Sequence, residues 1–185
     1  ILEKVYLSHR IAKNTKATHM CEYNEDFKKQ VLIDSDLESK QEFALQNHEF
    51  KLYLQPKYQL ENEELIGAEA LVRWIDQVGN FYSPGQFIPL FEKNGFILSL
   101  DFYMLEEVCK TIKNWMEYNL NIIPISVNFS RLHLEDDSFV NKINEIVDSY
   151  EIPRRFIEIE LTETSIYKNE DLVVALDERR GKLIK

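Results

Sequence analysis

The spacing of hydrophobic and polar residues follows one pattern before residue 50 and a different pattern after it. Before it, apolar spacing predicts a helix over 1–14, a short strand over 18–23, and a long charged helix over 24–47 with Asn24 as its N-cap. After residue 50, short apolar runs alternate with amphipathic stretches. That alternation predicts repeated strand-helix units.

The first two strands of the second region are predicted to pair. The run 50–57 indicates a strand that stops at Pro56, and a short polar link over 61–64 leads into a strand over 64–74. Because so short a link cannot cross over a sheet, these two strands must be antiparallel. Ser83 and Pro84 predict a helix start, and that helix ends near Gly95. The remaining predicted elements are a helix over 99–118, a strand over 122–128, a helix over 137–150, a strand over 156–161, a helix over 169–180 and the start of a strand over 181–185.

Mostly apolar strands that alternate with helices favour a parallel sheet covered by helices. The glycine-rich phosphate loop expected of a doubly wound sheet is missing, so we favour a barrel of the strand-helix type. A full barrel of this type needs about 250 residues, and only 135 of the 185 residues follow residue 50, so this region is expected to hold roughly the first half of a barrel. Its last strand would be an unpaired edge. We therefore expect a piece of a larger domain, in preference to two copies that cover each other.

Composition narrows the function classes. The formal charge of −10 excludes a protein that grips nucleic acid nonspecifically, and a phosphate-bearing ligand would need cations to bind here. No apolar run approaches the roughly 20 residues of a membrane span, so no membrane contact is expected of this segment. Cys21 and Cys109 lie far apart and suit a reducing, cytoplasmic setting. The histidines show no shared spacing and are predicted to be surface residues: His9, His19, His48 and His133.

One acid, Glu69, interrupts an otherwise apolar strand. An ionised carboxylate taken out of water must be paired, protonated or bound to a metal, since otherwise it costs several kcal/mol. When Glu69 is considered alone, a buried ion pair with Arg73 explains it as well as metal binding does.

Two further oxygen-bearing residues, Asn128 and Glu160, fall at comparable places in later strands. Two carboxylates and an amide carbonyl suit Mg²⁺ or Mn²⁺ better than zinc or copper. Taken singly, Asn128 could cap the turn before Arg131, and one of Glu158 and Glu160 could be a solvated charge. Together, the three residues favour a single metal site. Three unrelated roles at matching positions in three strands are a poorer explanation.

Five motifs follow one another along the chain: Gln55-Pro56-Lys57, Gly67 to Trp74, Ser83-Pro84 through Phe87-Ile88-Pro89, Ser126 to Ser130, and Glu160-Leu161-Thr162-Glu163. In these motifs and in their order, the chain resembles the EAL-domain family of cyclic di-GMP phosphodiesterases. The resemblance covers about 45–185. Residues 1–23 resemble the tail of a preceding GGDEF-like domain, 24–47 a connecting helix, and 48–185 the N-terminal half of an EAL domain.

The resemblance implies a TIM-barrel-like fold with an antiparallel first strand, and a site within it. Glu69, Asn128 and Glu160 match metal-binding positions for two Mg²⁺ or Mn²⁺ ions, and Glu69 is the catalytic carboxylate among them. The implied reaction is hydrolysis of cyclic di-GMP to linear pGpG, in a protein that forms a homodimer when intact. The residues that match dinucleotide-binding positions are Gln55, Leu71 and Arg73.

A further matching position, Glu163, is a family glutamate that stabilises a loop and is not expected to be a metal ligand. As an alternative, Glu163 could cap the segment that follows it. In the family, the strand that starts at 183–185 continues into an Asp-Asp pair, and later strands supply a lysine and a general base. Asp136-Asp137 cannot replace that pair, because it precedes a helix and is expected to cap it.

The 185-residue polypeptide is therefore expected not to hydrolyse cyclic di-GMP, whereas a longer parent protein is expected to do so. Two alternatives stay open for that parent: a degenerate EAL domain that senses cyclic di-GMP, or a non-binding dimerisation scaffold. An N-terminal membrane anchor in the parent also stays open.

Overall fold

The structure, a computed structural model, describes residues 25–161. The predicted elements over 1–14, 18–23, 169–180 and 181–185, and the predicted N-cap Asn24, lie outside that range. The described elements are α1 (Glu25–Gln46), β1 (Phe50–Tyr58), β2 (Leu65–Ile75), β3 (Phe81–Tyr82), α2 (Pro84–Asn94), α3 (Ile97–Glu117), β4 (Ile125–Phe129), α4 (Phe139–Ser149) and β5 (Ile157–Leu161), with short 3-10 helices at Arg131–Glu135 and Arg154–Phe156.

The chain divides into two compact units between Gln41 and Glu42, inside α1. The described part of the first unit is a charged stretch of that helix, where Lys40 pairs with Asp36 one turn earlier. The second unit holds the sheet and the other helices. The predicted domain limits at 23/24 and 47/48 stay predictions.

The strands of the described range form one sheet in the order β1-β2-β4-β5, with β3 added to β2. As predicted, β1 and β2 are antiparallel, from Phe50 opposite Trp74 to Tyr58 opposite Leu65. The pairs β2–β4 and β4–β5 are parallel. Within residues 25–161 this sheet does not close into a barrel.

The expectation that Pro56 stops the first strand is wrong, because β1 runs on to Tyr58 and pairs Pro56 with Ala68. In the described sheet β1 has β2 as its one neighbour and is therefore an edge strand. Proline removes a backbone donor, which an edge strand tolerates on its outer side.

The helix that follows β3 begins and ends where the sequence predicts. Pro84 takes the first helical position, and the Ser83 amide donates to Gln86 Oε1 at 2.8 Å. Gly95 ends the helix with φ of 83°, a left-handed conformation that glycine adopts without strain.

The largest apolar cluster lies between the sheet and the helices α3 and α4. Leu105, Val108 and Ile112 of α3 are fully buried in it, as is Ile157 of β5. A second group of rings gathers where Phe50 and Trp74 pair, with Phe87, Phe91 and Phe96 around them. The helices thus cover one face of the sheet.

Candidate functional site

Polar side chains occupy the face of β4 and β5 that the helices do not cover. On β4, Ile125, Val127 and Phe129 belong to the apolar cluster, and Ser126 and Asn128 alternate with them. Because successive strand side chains point to opposite faces, the polar pair faces away from the core. The same alternation on β5 places Glu158 and Glu160 on the face with Ser126 and Asn128.

The first two strands extend this polar face. Buried Ala68 and Ala70 alternate with Glu69, Leu71 and Arg73 along β2. Residues directly opposite in an antiparallel pair share a face. The register therefore sets Gln55 beside Glu69, Tyr53 beside Leu71 and Lys51 beside Arg73. All six residues predicted to bind metal or nucleotide therefore share one side of the sheet.

Glu69 and Asn128 are in direct contact. Asn128 Nδ2 donates to Glu69 Oε1 at 2.8 Å, and both side chains are partly buried. Ser130, not Asn128, caps the turn that follows β4, since its side chain accepts from the Leu132 amide. The capping alternative for Asn128 is therefore wrong.

The Arg73 guanidinium contacts a backbone carbonyl and an aromatic ring. Its Nη1 donates to the Val72 carbonyl at 2.8 Å, and its guanidinium lies 5.7 Å from the centre of the Tyr53 ring. Within residues 25–161 the ion pairs do not include one between Glu69 and Arg73. The observed geometry thus leaves the Arg73 guanidinium at the sheet face, where it can meet an anion.

Glu160 has a cationic partner that the sequence did not indicate. Lys57 Nζ donates to Glu160 Oε1 at 2.8 Å and to Ser126 Oγ at 2.7 Å. Burial raises the pKa of Glu160, but hydrogen bonds from Lys57 and Ser126 and the lysine charge outweigh burial and set it below its usual value. The signal in the sequence was that Lys57 stands two residues after Gln55, so both point to the same face.

The donor set fits a hard divalent cation in part. Glu69 and Glu160 offer carboxylate oxygens, and Asn128 keeps its carbonyl oxygen free for a metal because its nitrogen donates to Glu69. Among residues 25–161 there is no group of three His, Cys, Asp or Glu placed to hold a metal. Glu163 lies outside the described residues.

A cavity of about 110 Å³ lies between strands β2 and β4 and the helices α2 and α3. Leu71 and Arg73, two of the predicted dinucleotide-binding residues, line it together with Asn128. The third, Gln55, is exposed on β1 and does not line this cavity. The cavity therefore touches two predicted nucleotide-binding residues and one predicted metal ligand, while the rest of its lining, such as Ala70, Val127 and Leu100, belongs to the side of the sheet that the helices cover.

A buried polar cluster supports the end of β4. Asp101 Oδ2 accepts from the Ser130 amide at 2.8 Å and lies 3.0 Å from His133 Nε2. Burial raises the pKa of Asp101 above its usual value, against the hydrogen bonds from His133 and Ser130. The prediction that every histidine is at the surface is wrong for His133, which is 2% exposed. His48 is exposed, and the other two lie outside the described residues.

The chain matches a known family and several curated proteins. The family model of the EAL domain matches residues 38–179. The oxygen sensor protein DosP of Escherichia coli K12 is 30% identical over 147 residues, which cover 80% of this chain and 18% of DosP. The bifunctional diguanylate cyclase/cyclic di-GMP phosphodiesterase MucR of Pseudomonas aeruginosa is 29% identical over 136 residues, which cover 74% of this chain and 20% of MucR. The chain thus spans about a fifth of the length of these relatives.

Solved structures share the fold. PaMucR phosphodiesterase in complex with c-di-GMP superposes with a TM-score of 0.70 at 28% identity, over 77% of this chain and 58% of that one. The EAL enzyme Bd1971 in its cGMP-bound form superposes with a TM-score of 0.69 at 25% identity, over 82% of this chain and 43% of that one. The predicted TIM-barrel-like α/β fold with an antiparallel first strand is confirmed. Among residues 25–161, none of the helices has the length and apolar character that crossing a membrane requires.

Proposed function

The chain belongs to the EAL-domain family, and from that premise we propose that the protein it comes from hydrolyses cyclic di-GMP to linear pGpG. The observation that carries the proposal is the convergence of Glu69, Asn128 and Glu160 on one face of three neighbouring strands. Relatives named as cyclic di-GMP phosphodiesterases, MucR and PA2567 of Pseudomonas aeruginosa, support the choice of substrate.

In this proposal Glu69, Asn128 and Glu160 hold Mg²⁺ or Mn²⁺ through oxygen atoms. When bound, such ions activate a water molecule and neutralise charge that develops on the phosphate. Asn128 orients the Glu69 carboxylate by donating to one of its oxygens, so that the other oxygen stays free. The oxygen-only donor set supports the choice of these hard cations over zinc.

The dinucleotide is proposed to lie against Gln55, Leu71 and Arg73. Arg73 carries a permanent positive charge in a planar group that can meet a phosphate with two hydrogen bonds. Its observed contacts, a backbone carbonyl and the Tyr53 ring, leave guanidinium donors for that purpose. Leu71 offers an apolar contact, and exposed Gln55 beside Glu69 offers an amide.

Other parts of the proposal concern the intact protein. We propose that it forms a homodimer in the cytoplasm and that Glu163 steadies a loop near the metal site. The 185-residue polypeptide by itself is proposed to be inactive, because the family's acidic pair, lysine and general base are not in its sequence. Turnover of cyclic di-GMP by this polypeptide alone would contradict that part.

The direct test is hydrolysis of cyclic di-GMP by the full-length protein with Mg²⁺ or Mn²⁺, followed by chromatographic separation of pGpG. Glu69→Gln and Glu160→Gln are expected to abolish turnover, since each removes a proposed metal ligand. Glu158→Gln is the matched control, because it removes the same charge from the same face of β5 and is expected to keep activity.

Binding separates the proposal from its alternatives. Calorimetric titration of the full-length protein with cyclic di-GMP, with Ca²⁺ in place of Mg²⁺ to suppress cleavage, is expected to show binding that Arg73→Gln weakens. Binding without turnover under Mg²⁺ or Mn²⁺ would favour a sensor. Absence of both binding and turnover would favour a scaffold.

A further inference from the structure

Lys57 reaches across two strands to meet Glu160. It belongs to β1 and Glu160 to β5, and β2 and β4 lie between them in the sheet. Nζ lies 2.8 Å from Glu160 Oε1 and 2.7 Å from Ser126 Oγ, and the lysine and glutamate side chains are each 34% exposed. The contact therefore joins strands distant in the sheet, unlike the pairs between neighbouring turns of a helix elsewhere on the surface, such as Lys110 with Glu107.

No side chain on β2 stands directly opposite Lys57 on the shared face of the sheet. Its cross-strand neighbour is Gly67, which presents no side chain on the shared face. The next pair along, Gln55 and Glu69, lies towards the proposed metal site. The ammonium group thus reaches the polar face beside the carboxylates that the proposed function assigns to a metal.

An ammonium group and a divalent cation compete for one carboxylate. Mg²⁺ approaches its oxygen ligands to about 2.0–2.1 Å, and a lysine hydrogen bond to the same oxygen would bring two cations into close contact. Ser126 would not hold the lysine by itself, because a hydroxyl carries no charge to offset that repulsion. Metal binding at Glu160 Oε1 therefore requires Lys57 to withdraw from that oxygen.

We propose that Lys57 is a displaceable internal counter-ion of the metal site. It neutralises Glu160 while no metal is bound, leaves Glu160 when the metal enters, and so weakens metal binding. This inference rests on the proposed function for the identity of the metal ligands. It assigns to Lys57 a positioning role on Glu160 and no contact with the reacting atoms.

The test is Mn²⁺ binding to the full-length protein without cyclic di-GMP, measured by calorimetry and by the electron paramagnetic resonance signal of free Mn²⁺. Lys57→Met is expected to bind Mn²⁺ about fivefold more tightly or better, because the competing ion pair is gone. Lys51→Met is the matched control, since Lys51 is exposed on the same face of the same strand. It removes one charge without touching Glu160 and is expected to leave affinity nearly unchanged.

A second measurement uses the unmutated protein, so that a folding defect in the variant cannot hide the answer. Limited acylation of lysines, read by mass spectrometry, is expected to modify Lys57 more when Mn²⁺ is added, while Lys51 is modified equally with and without Mn²⁺. Unchanged Mn²⁺ affinity in Lys57→Met together with unchanged labelling of Lys57 would overturn the inference.

The Glu160→Gln variant separates this inference from the proposed function. Loss of Mn²⁺ binding in Glu160→Gln with no effect of Lys57→Met refutes the role of Lys57 and keeps the metal site. Retained Mn²⁺ binding in both Glu69→Gln and Glu160→Gln refutes the metal site and the role of Lys57 together.

Discussion

The Asn128 side chain ties β4 to β2, because its Nδ2 donates to Glu69 Oε1 at 2.8 Å. The bond fixes the orientation of the amide, so that nitrogen faces the carboxylate and the carbonyl oxygen is left for another partner. One hydrogen bond thereby sets the geometry of two residues proposed to bind metal.

Replacing that amide by a carboxylate tests the relationship. Asn128→Asp removes the donor and brings a second negative charge against Glu69, so the melting temperature without metal is expected to fall, with a loss of roughly 1–3 kcal/mol of unfolding free energy. Added Mn²⁺ is expected to raise the melting temperature of the variant more than that of the unmutated protein. Asn121→Asp, at an exposed position outside the site, is the control for charge alone. Equal Mn²⁺ responses in the two variants would contradict this prediction.

Asp101 is expected to be among the most sensitive positions for stability. In Asp101→Ala the Ser130 amide and the His133 ring lose a buried acceptor, which costs about 2–5 kcal/mol of unfolding free energy. Asp101→Asn keeps an acceptor oxygen and is expected to lose less. Guanidinium denaturation measures both. Asp137→Ala, at an exposed position, should change stability by less than about 0.5 kcal/mol. If Asp101→Ala lowers the free energy of unfolding no more than this control does, the hydrogen bonds of Asp101 do not stabilise the fold as expected.

Two glycines are expected to respond to alanine in opposite directions. A Cβ atom added at Gly67 would lie 3.0 Å from the Pro124 carbonyl oxygen, a backbone atom that cannot move alone. Gly67→Ala should therefore lose about 1–3 kcal/mol. A Cβ atom at Gly85, within helix α2, would meet open space, so Gly85→Ala should be neutral or gain up to about 1 kcal/mol. Urea denaturation of the pair is the measurement, and equal effects would disprove the steric argument.

Cys109 predicts an alkaline dependence of stability. Burial, and to a lesser extent the charge of Glu106, raise the pKa of its thiol to about 12. The thiol of the unfolded chain ionises near pH 8.5, so its contribution to stability is complete below that pH and is lost as pH rises towards 12. The stability of the unmutated protein relative to Cys109→Ala should therefore fall above pH 9, by at most about 1.4 kcal/mol per pH unit.

Urea denaturation of both proteins at pH 8 and pH 10 measures that difference. A difference between the two proteins that stays constant over this range would argue against the buried, protonated thiol. Reaction of Cys109 with a thiol reagent in the folded protein at pH 8 should also be slow, because the thiolate is the reactive form.

The sequence predicted the fold where the hydrophobic pattern is regular. The strict alternation of Ile125, Val127 and Phe129 with Ser126 and Asn128 indicates a strand with two distinct faces, and the structure has that strand with its polar residues on the open face. Helix α2 was equally predictable, because its start at Pro84 and its end at Gly95 depend on backbone preferences of single residues.

Features that depend on tertiary neighbours were not predictable. His133 is buried because Asp101, 32 residues away on another element, supplies its partner. The pairing of Lys57 with Glu160 depends on the order and register of four strands. Pro56 is tolerated within a strand because that strand is at an edge of the described sheet, which its own composition does not reveal.

The connectivity of the sheet has a consequence for how the polar face assembles. Gln55 and Glu69 meet through a local hairpin, which can form within about 1–10 microseconds. Glu69 and Asn128 are 59 residues apart, with two helices between them, so their contact must wait for a long loop to close. We expect this hairpin to arrange half of the face early in folding, and the docking of β4 to complete it in a later and slower step.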